Sequence, residues 1–219
     1  MGALTYYTNP QSRGRIAHWM LEELGQPYQT VWLEYGAAMK APEYLALNPM
    51  GKVPALRDGT GDGTGEGEVV VTESAAICAY LADRFPDKGL APPLGSAGRA
   101  AYLRWMFFSA GPLEMATTAK ALGWQVPEGR GTMVGFGSYA QTLDALELAL
   151  RPGPHVCGEA FSAADVVVGS ALGWGLLFGT IEKRPAFEAY VARLQQRPAF
   201  QRAAALNEAR LRGAAADGD

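Results

Sequence analysis

Cysteine is scarce in this chain. Its 219 residues contain two, Cys78 and Cys157. Neither belongs to a CxxC pair or to another metal-ligand spacing, which argues against a disulfide framework or a zinc site. Both fall in apolar stretches and read as inert core thiols, which suits a reducing, cytoplasmic setting. Charge of one sign is also lacking. The net charge is −3, so there is no basic footprint for nucleic acid. Long apolar runs are missing as well. The longest, Ala163 to Phe178, is interrupted by Asp165 and three glycines. It is short for a membrane span and reads as a buried helix. Met1-Gly2-Ala3-Leu4 leads straight into a strand-like run, with no basic segment followed by an apolar one, so no signal peptide is expected. No internal repeat occurs, and one glycine-rich stretch is the only low-complexity run.

What is present is ample apolar material, 48% of the residues, in a chain long enough for one large or two small domains. Leu4–Tyr7 is a short strand candidate. Ser12 can cap a helix over 13–24, whose apolar positions Ile16, Met20 and Leu24 repeat every four residues beside Ala17 and Leu21. Gly25 is a good stop. A second strand is expected over 29–33 and a short helical turn over 42–47. Strand, hairpin and strand follow between Val53 and Val71. The hairpin connection, Asp58 to Glu68, alternates glycine with polar residues and reads as a mobile insertion. It lacks the apolar framing of a calcium loop. A third helix is expected over 73–84, with Ile77, Tyr80 and Leu81 facing inward.

Residues 86–96 hold three prolines and two glycines, a linker signature. Beyond it the chain reads as helical. A long helix over 97–122 should be interrupted at Gly111-Pro112. Others are expected over 132–150, from about Ala163 to Phe178, over 185–195 and over 198–212. Ser162 followed by Asp165 is a capping-box pattern with Phe161 as its staple; it starts a buried helix and has no catalytic meaning. The domains so drawn are 1–85, a linker at 86–96, a helical domain at 97–212 and a disordered tail at 213–219.

Two motifs stand apart. Asn48-Pro-Met-Gly-Lys-Val-Pro-Ala-Leu56 places Val53-Pro54 at the mouth of a strand. Pro54 is either an ordinary edge-strand proline or follows a cis bond. A cis bond would leave the Val53 N–H and C=O free to pair with an extended peptide. Glu73-Ser74 stands at a helix start, either as a plain cap or as a seat for a carboxylate or phosphate.

Ser12-Arg13, the Asn48–Leu56 run and Glu73-Ser74 together resemble the cytosolic glutathione S-transferase family, over roughly residues 3–205. The resemblance implies a thioredoxin-like α/β N-terminal domain followed by an all-α C-terminal domain. It implies a homodimer that adds the thiolate of glutathione to apolar electrophiles, with glutathione as co-substrate and no other cofactor, metal, nucleic acid or membrane. Glu73 and Ser74 would hold the γ-glutamyl end, Val53 before Pro54 the cysteinyl backbone, and Lys40 or Lys52 the glycyl carboxylate. The thiol requires a hydroxyl donor, because only the thiolate attacks well. Tyr6, Tyr7, Thr8 and Ser12 are available, and Ser12 and Thr8 fit the family's alternative patterns best; Asn9 is a further donor. No cysteine occurs in this loop, which argues against Cys-type thiol transfer. Trp105, Met106, Phe108, Met115 and Trp124 are candidates for the electrophile pocket, although aromatic and Met residues at helical spacing are commonly core. Two other functions fit the same resemblance: a glutathione-dependent disulfide reductase or peroxidase, and a non-catalytic protein-binding member of the fold.

Overall fold

The computed structural model describes residues 4–59 and 67–216. Most of the glycine-rich hairpin connection and the last three residues lie outside the described residues. The chain forms two compact units. One comprises residues 1–85 together with 197–219; the other comprises 86–196.

The first unit is built on a four-stranded sheet in the order β2-β1-β3-β4, from β1 (Leu4–Thr8), β2 (Tyr28–Trp32), β3 (Ala55–Asp58) and β4 (Val69–Thr72). β1 runs parallel to β2 and antiparallel to β3, and β3 is antiparallel to β4. A parallel pair needs a crossover, which α1 (Gly14–Leu24) supplies. Ile16, Ala17, Met20, Leu21 and Leu24 of α1 are buried as their spacing predicts, and Gly25 ends the helix with φ 61°. A short helix, α2 (Pro42–Leu45), precedes β3, and α3 (Ser74–Arg84) follows β4. This is the thioredoxin-like arrangement.

Strand alternation gives the sheet two faces. Tyr6, paired with Leu56, is wholly buried, whereas Tyr7, paired with Ala55, packs on the cluster of Met39 and Tyr44. In α3, Ile77 and Leu81 are buried as expected. The third core position is Cys78, while Tyr80 is half-buried and donates to the Asp58 carboxylate at 2.9 Å.

The last helix, α9 (Pro198–Ala216), groups with this first unit, whereas the sequence places it with the helical region. It also runs four residues past the expected stop at Arg212. Ion pairs Glu23–Arg197, Glu22–Arg202, Arg15–Glu208 and Glu34–Arg210 hold it along α1 and the end of β2. Between them Asn207 meets the buried His18 at 2.9 Å. Each partner lies more than 170 residues from the other in sequence, so no local pattern announces the pairing.

The second unit is helical: α4 (Ala97–Phe108), α5 (Glu114–Leu122), α6 (Tyr139–Ala149), α7 (Ala163–Phe178) and α8 (Pro185–Gln195). A π-helical turn at Ser109–Leu113, containing Pro112, separates α4 from α5 where the interruption is expected. α6 begins seven residues later than the apolar spacing predicts. Gly137 adopts φ 63°, and Ser138 caps the helix by accepting from the Gln141 N–H at 3.2 Å. α7 keeps both predicted ends. Its capping box is formed: Ser162 N–H donates to Asp165 Oδ2 at 2.9 Å, and Ser162 accepts from the N3 backbone. No helix among the described residues is long and apolar enough to cross a membrane, and none of their His, Cys, Asp and Glu side chains cluster as a metal site.

Candidate functional site

Three segments of the first unit carry the predicted polar residues. The first is the turn from Asn48 to Pro54. Asn48 is buried; it accepts from the Met50 N–H at 3.1 Å and donates to the Lys52 carbonyl at 2.7 Å. The Tyr44 hydroxyl donates to that same carbonyl at 2.6 Å, and burial pushes its pKa up to about 12. Gly51 has φ 57°, and a Cβ there would stand 2.6 Å from the Met39 carbonyl oxygen, so only glycine fits. Lys40 reaches over this turn and donates to the Met50 and Gly51 carbonyls at 2.9 and 3.1 Å. Its ammonium thus braces the turn. Lys52 is exposed.

The Val53-Pro54 bond is cis. Val53 is half-buried, and its N–H and C=O have no hydrogen-bond partner among the described residues. Unpaired backbone groups at a strand mouth are a template for another extended chain.

The second segment is the start of α3. Glu73 sits at the N-cap with φ 68°, the only described non-glycine residue with positive φ. That conformation costs about 1–3 kcal/mol and is retained where the surroundings or a function require it. The first intrahelical bond runs from the Ile77 N–H to the Glu73 carbonyl at 2.9 Å. The N–H groups of Ser74, Ala75 and Ala76 precede it, and no side chain caps them. Such an end favours an anion.

The third segment joins β1 to α1. Asn9 is buried and committed: its amide donates to the Leu33 carbonyl at 2.8 Å, and its oxygen accepts from the Gln11 N–H at 2.9 Å. Ser12 is half-buried; its hydroxyl donates to the Asn9 carbonyl at 2.7 Å and accepts from the Gly14 N–H at 2.9 Å. Thr8 has no exposed surface. The Ser74 hydroxyl lies 3.4 Å from the Arg13 carbonyl oxygen, which brings the α1 and α3 starts side by side.

The pocket candidates of the second unit do not behave as one group. Trp105 and Met106 are 5% and 3% exposed. With Tyr102, Ser109 and Leu113 they form the buried stripe expected of a core helix face. Phe108 is half-buried against the Trp105 ring, at 5.0 Å. Met115 and Trp124 are 49% and 60% exposed.

Sequence reasoning gave Lys40 a ligand-binding role rather than a bracing one, and gave no role to Tyr44, Asn48, Gly51 or Gly14. Asn48 and Gly51 lie in the motif without signalling a function, and Tyr44 stands outside it. Gly14 could have been noticed as a glycine inside a predicted helix, where its conformational cost calls for a reason.

The model of the glutathione S-transferase N-terminal domain matches residues 13–84, which contain two of the three segments whole and the end of the third. A glutathione transferase from Methylococcus capsulatus is 30% identical, superposes with a TM-score of 0.75, and is covered to 99% by 94% of this chain. A glutathione transferase family member from Pseudomonas fluorescens, solved with two glutathione molecules bound, is 25% identical with a TM-score of 0.73, over 93% of this chain and 92% of that one. Among curated proteins, glutathione S-transferase GstA of Escherichia coli is 28% identical over 89% of this chain and 94% of its own. With the thioredoxin-like sheet, the turn at Val53 and the open start of α3, these likenesses show that the chain belongs to the glutathione S-transferase family.

Proposed function

We propose that the first unit binds glutathione and activates its thiol for addition to apolar electrophiles. One observation carries the reading: the unpaired Val53 peptide and the uncapped start of α3 belong to the same compact unit. Glutathione is a short extended peptide with a carboxylate at each end and a thiol between. The cysteinyl N–H and C=O pair with Val53. The γ-glutamyl carboxylate accepts from the Ser74 hydroxyl and the amides of the first turn, and Glu73 meets the ammonium group. Lys40 keeps an ammonium proton beyond the two it gives to carbonyls. That proton, or exposed Lys52, serves the glycyl carboxylate.

Ser12 is the thiol's donor in this reading. Its hydroxyl proton turns from the Asn9 carbonyl to the sulfur, and hydrogen bonding to the anion lowers the thiol pKa. The thiolate then forms a carbon–sulfur bond to the electrophile, and the displaced group leaves with its electron pair. Thr8 has no surface through which to touch a ligand. Of the pocket candidates, Phe108, Met115 and Trp124 have surface to offer an apolar substrate. A cytoplasmic homodimer with no cofactor besides glutathione as co-substrate completes the proposal.

Calorimetric titration with glutathione tests it. Wild type should bind, and Ser74→Ala should weaken binding about tenfold, the cost of a hydrogen bond to a charged group. Absence of heat at millimolar glutathione would refute the reading. Turnover confined to disulfides or peroxides would replace conjugation by reduction.

A further inference from the structure

We infer that Tyr6, held by Thr8, is a positioning residue for the thiol end of this site, acting through Gly14 on Ser12. The inference rests on the glutathione reading. Three hydroxyls converge on one side of Gly14, the first residue of α1. The Tyr6 hydroxyl donates to the Gly14 carbonyl. Thr8 Oγ1 lies 3.2 Å from the Tyr6 hydroxyl and 3.5 Å from the Asn9 carbonyl oxygen. Ser12 accepts from the Gly14 N–H and donates to that Asn9 carbonyl. A Cβ on Gly14 would stand 1.9 Å from Thr8 Oγ1 and 2.9 Å from both the Ser12 and Tyr6 oxygens. Only the bare side of a glycine admits this arrangement.

The assignment of roles follows from burial. Tyr6 and Thr8 are wholly enclosed, so neither touches a ligand, while Ser12 is partly open. Tyr6 stands on the face of β1 that packs against α1, its ring 5.6 Å from that of His18. Burial pushes its pKa far above the usual phenol range, so the hydroxyl remains a donor at any working pH. With its single proton on the Gly14 carbonyl, Tyr6 can only accept from Thr8. Thr8 also has a single hydroxyl proton; given to Tyr6, it fixes the phenol on the Gly14 carbonyl, and the strand is thereby tied to the first residue of α1, whose N–H the Ser12 hydroxyl holds. The α1 N-cap itself, Arg13, makes no side-chain cap bond, so this knot orients the first turn of the helix and hence the Ser12 hydroxyl.

Removing the Tyr6 oxygen should loosen Ser12 without touching the sites that hold the glutathione backbone and its γ-glutamyl end. In Tyr6→Phe, glutathione affinity is expected to stay within about threefold of wild type, since the Val53 and Ser74 contacts remain. The thiolate fraction of bound glutathione at neutral pH, followed by thiolate absorbance against pH, should fall about three- to tenfold. Amide exchange at Gly14–Ile16 of the ligand-free protein should accelerate. Thr8→Val should show the same signature and Thr8→Ser should restore wild-type behaviour; the Thr8 pair also serves if Tyr6→Phe does not fold. An unchanged pH profile and unchanged exchange in folded variants would overturn the inference and leave the glutathione reading standing. Failure of wild type to bind glutathione would remove the reading and this inference with it.

Discussion

The seat of α9 on the first unit yields a quantitative prediction. Glu23 is the centre of it. Its carboxylate is 7% exposed and accepts from Trp19 Nε1 at 2.8 Å and from Arg197 Nε and Nη2 at 2.7 and 2.8 Å. Removing one partner of a fully buried pair costs about 3–5 kcal/mol, because a desolvated charge is left behind. Exposed pairs are worth about 0–1 kcal/mol. Arg197 is 33% exposed, so water can partly replace it, and Arg197→Ala should cost about 2–3 kcal/mol. Glu23→Gln loses the charge but keeps an acceptor for Trp19, and about 1–2 kcal/mol is expected. The double variant should be less destabilised than the sum of the singles, with a coupling of about 1 kcal/mol or more. Urea unfolding of the four proteins measures this. A loss below about 0.5 kcal/mol for Arg197→Ala, the value of a surface pair, would show that this pair does not hold α9 in place.

Two further predictions concern buried polar groups. His18 is 1% exposed and bonded to Tyr28 and Asn207, each at 2.9 Å. Burial holds its pKa below the usual imidazole value, Arg15 adds to this, and Asn207 and Glu22 oppose it. The unfolded chain therefore binds more protons than the folded one just below pH of about 6.5, so the His18 contribution is full above that pH and is lost as pH falls beneath it, at up to about 1.4 kcal/mol per pH unit. His18→Gln should show a smaller loss of unfolding free energy than wild type between about pH 7.5 and about pH 5.5, and equal losses would exclude His18 as the titrating group. Asp165 is fully buried and accepts from the Val156 and Ser162 N–H groups at 2.8 and 2.9 Å and from the Tyr190 hydroxyl at 2.8 Å. Asp165→Ala orphans these donors and should cost more than about 3 kcal/mol in thermal or urea unfolding, with Asp165→Asn intermediate.

The sequence alone was informative wherever the governing interaction is local. Helical spacing placed α1, α3, α7 and α8, with α7 and α8 correct at both ends, because a capping box and prolines at first turns mark boundaries within a few residues. The Val53-Pro54 and Glu73-Ser74 motifs marked two segments of the candidate site for the same reason: a cis bond and a helix start are events of one or two residues. Local pattern failed at α6, where apolar spacing continued through residues that Gly137 and Ser138 exclude from the helix. Tertiary structure decided the rest. It drew α9 onto the first unit through ion pairs between residues more than 170 apart. It also sorted the hydroxyls of one short stretch, enclosing Tyr6 and Thr8 and leaving Ser12 partly open. Burial depends on what packs over a residue, and a hydroxyl looks the same in sequence whether it meets solvent or the carbonyl of Gly14.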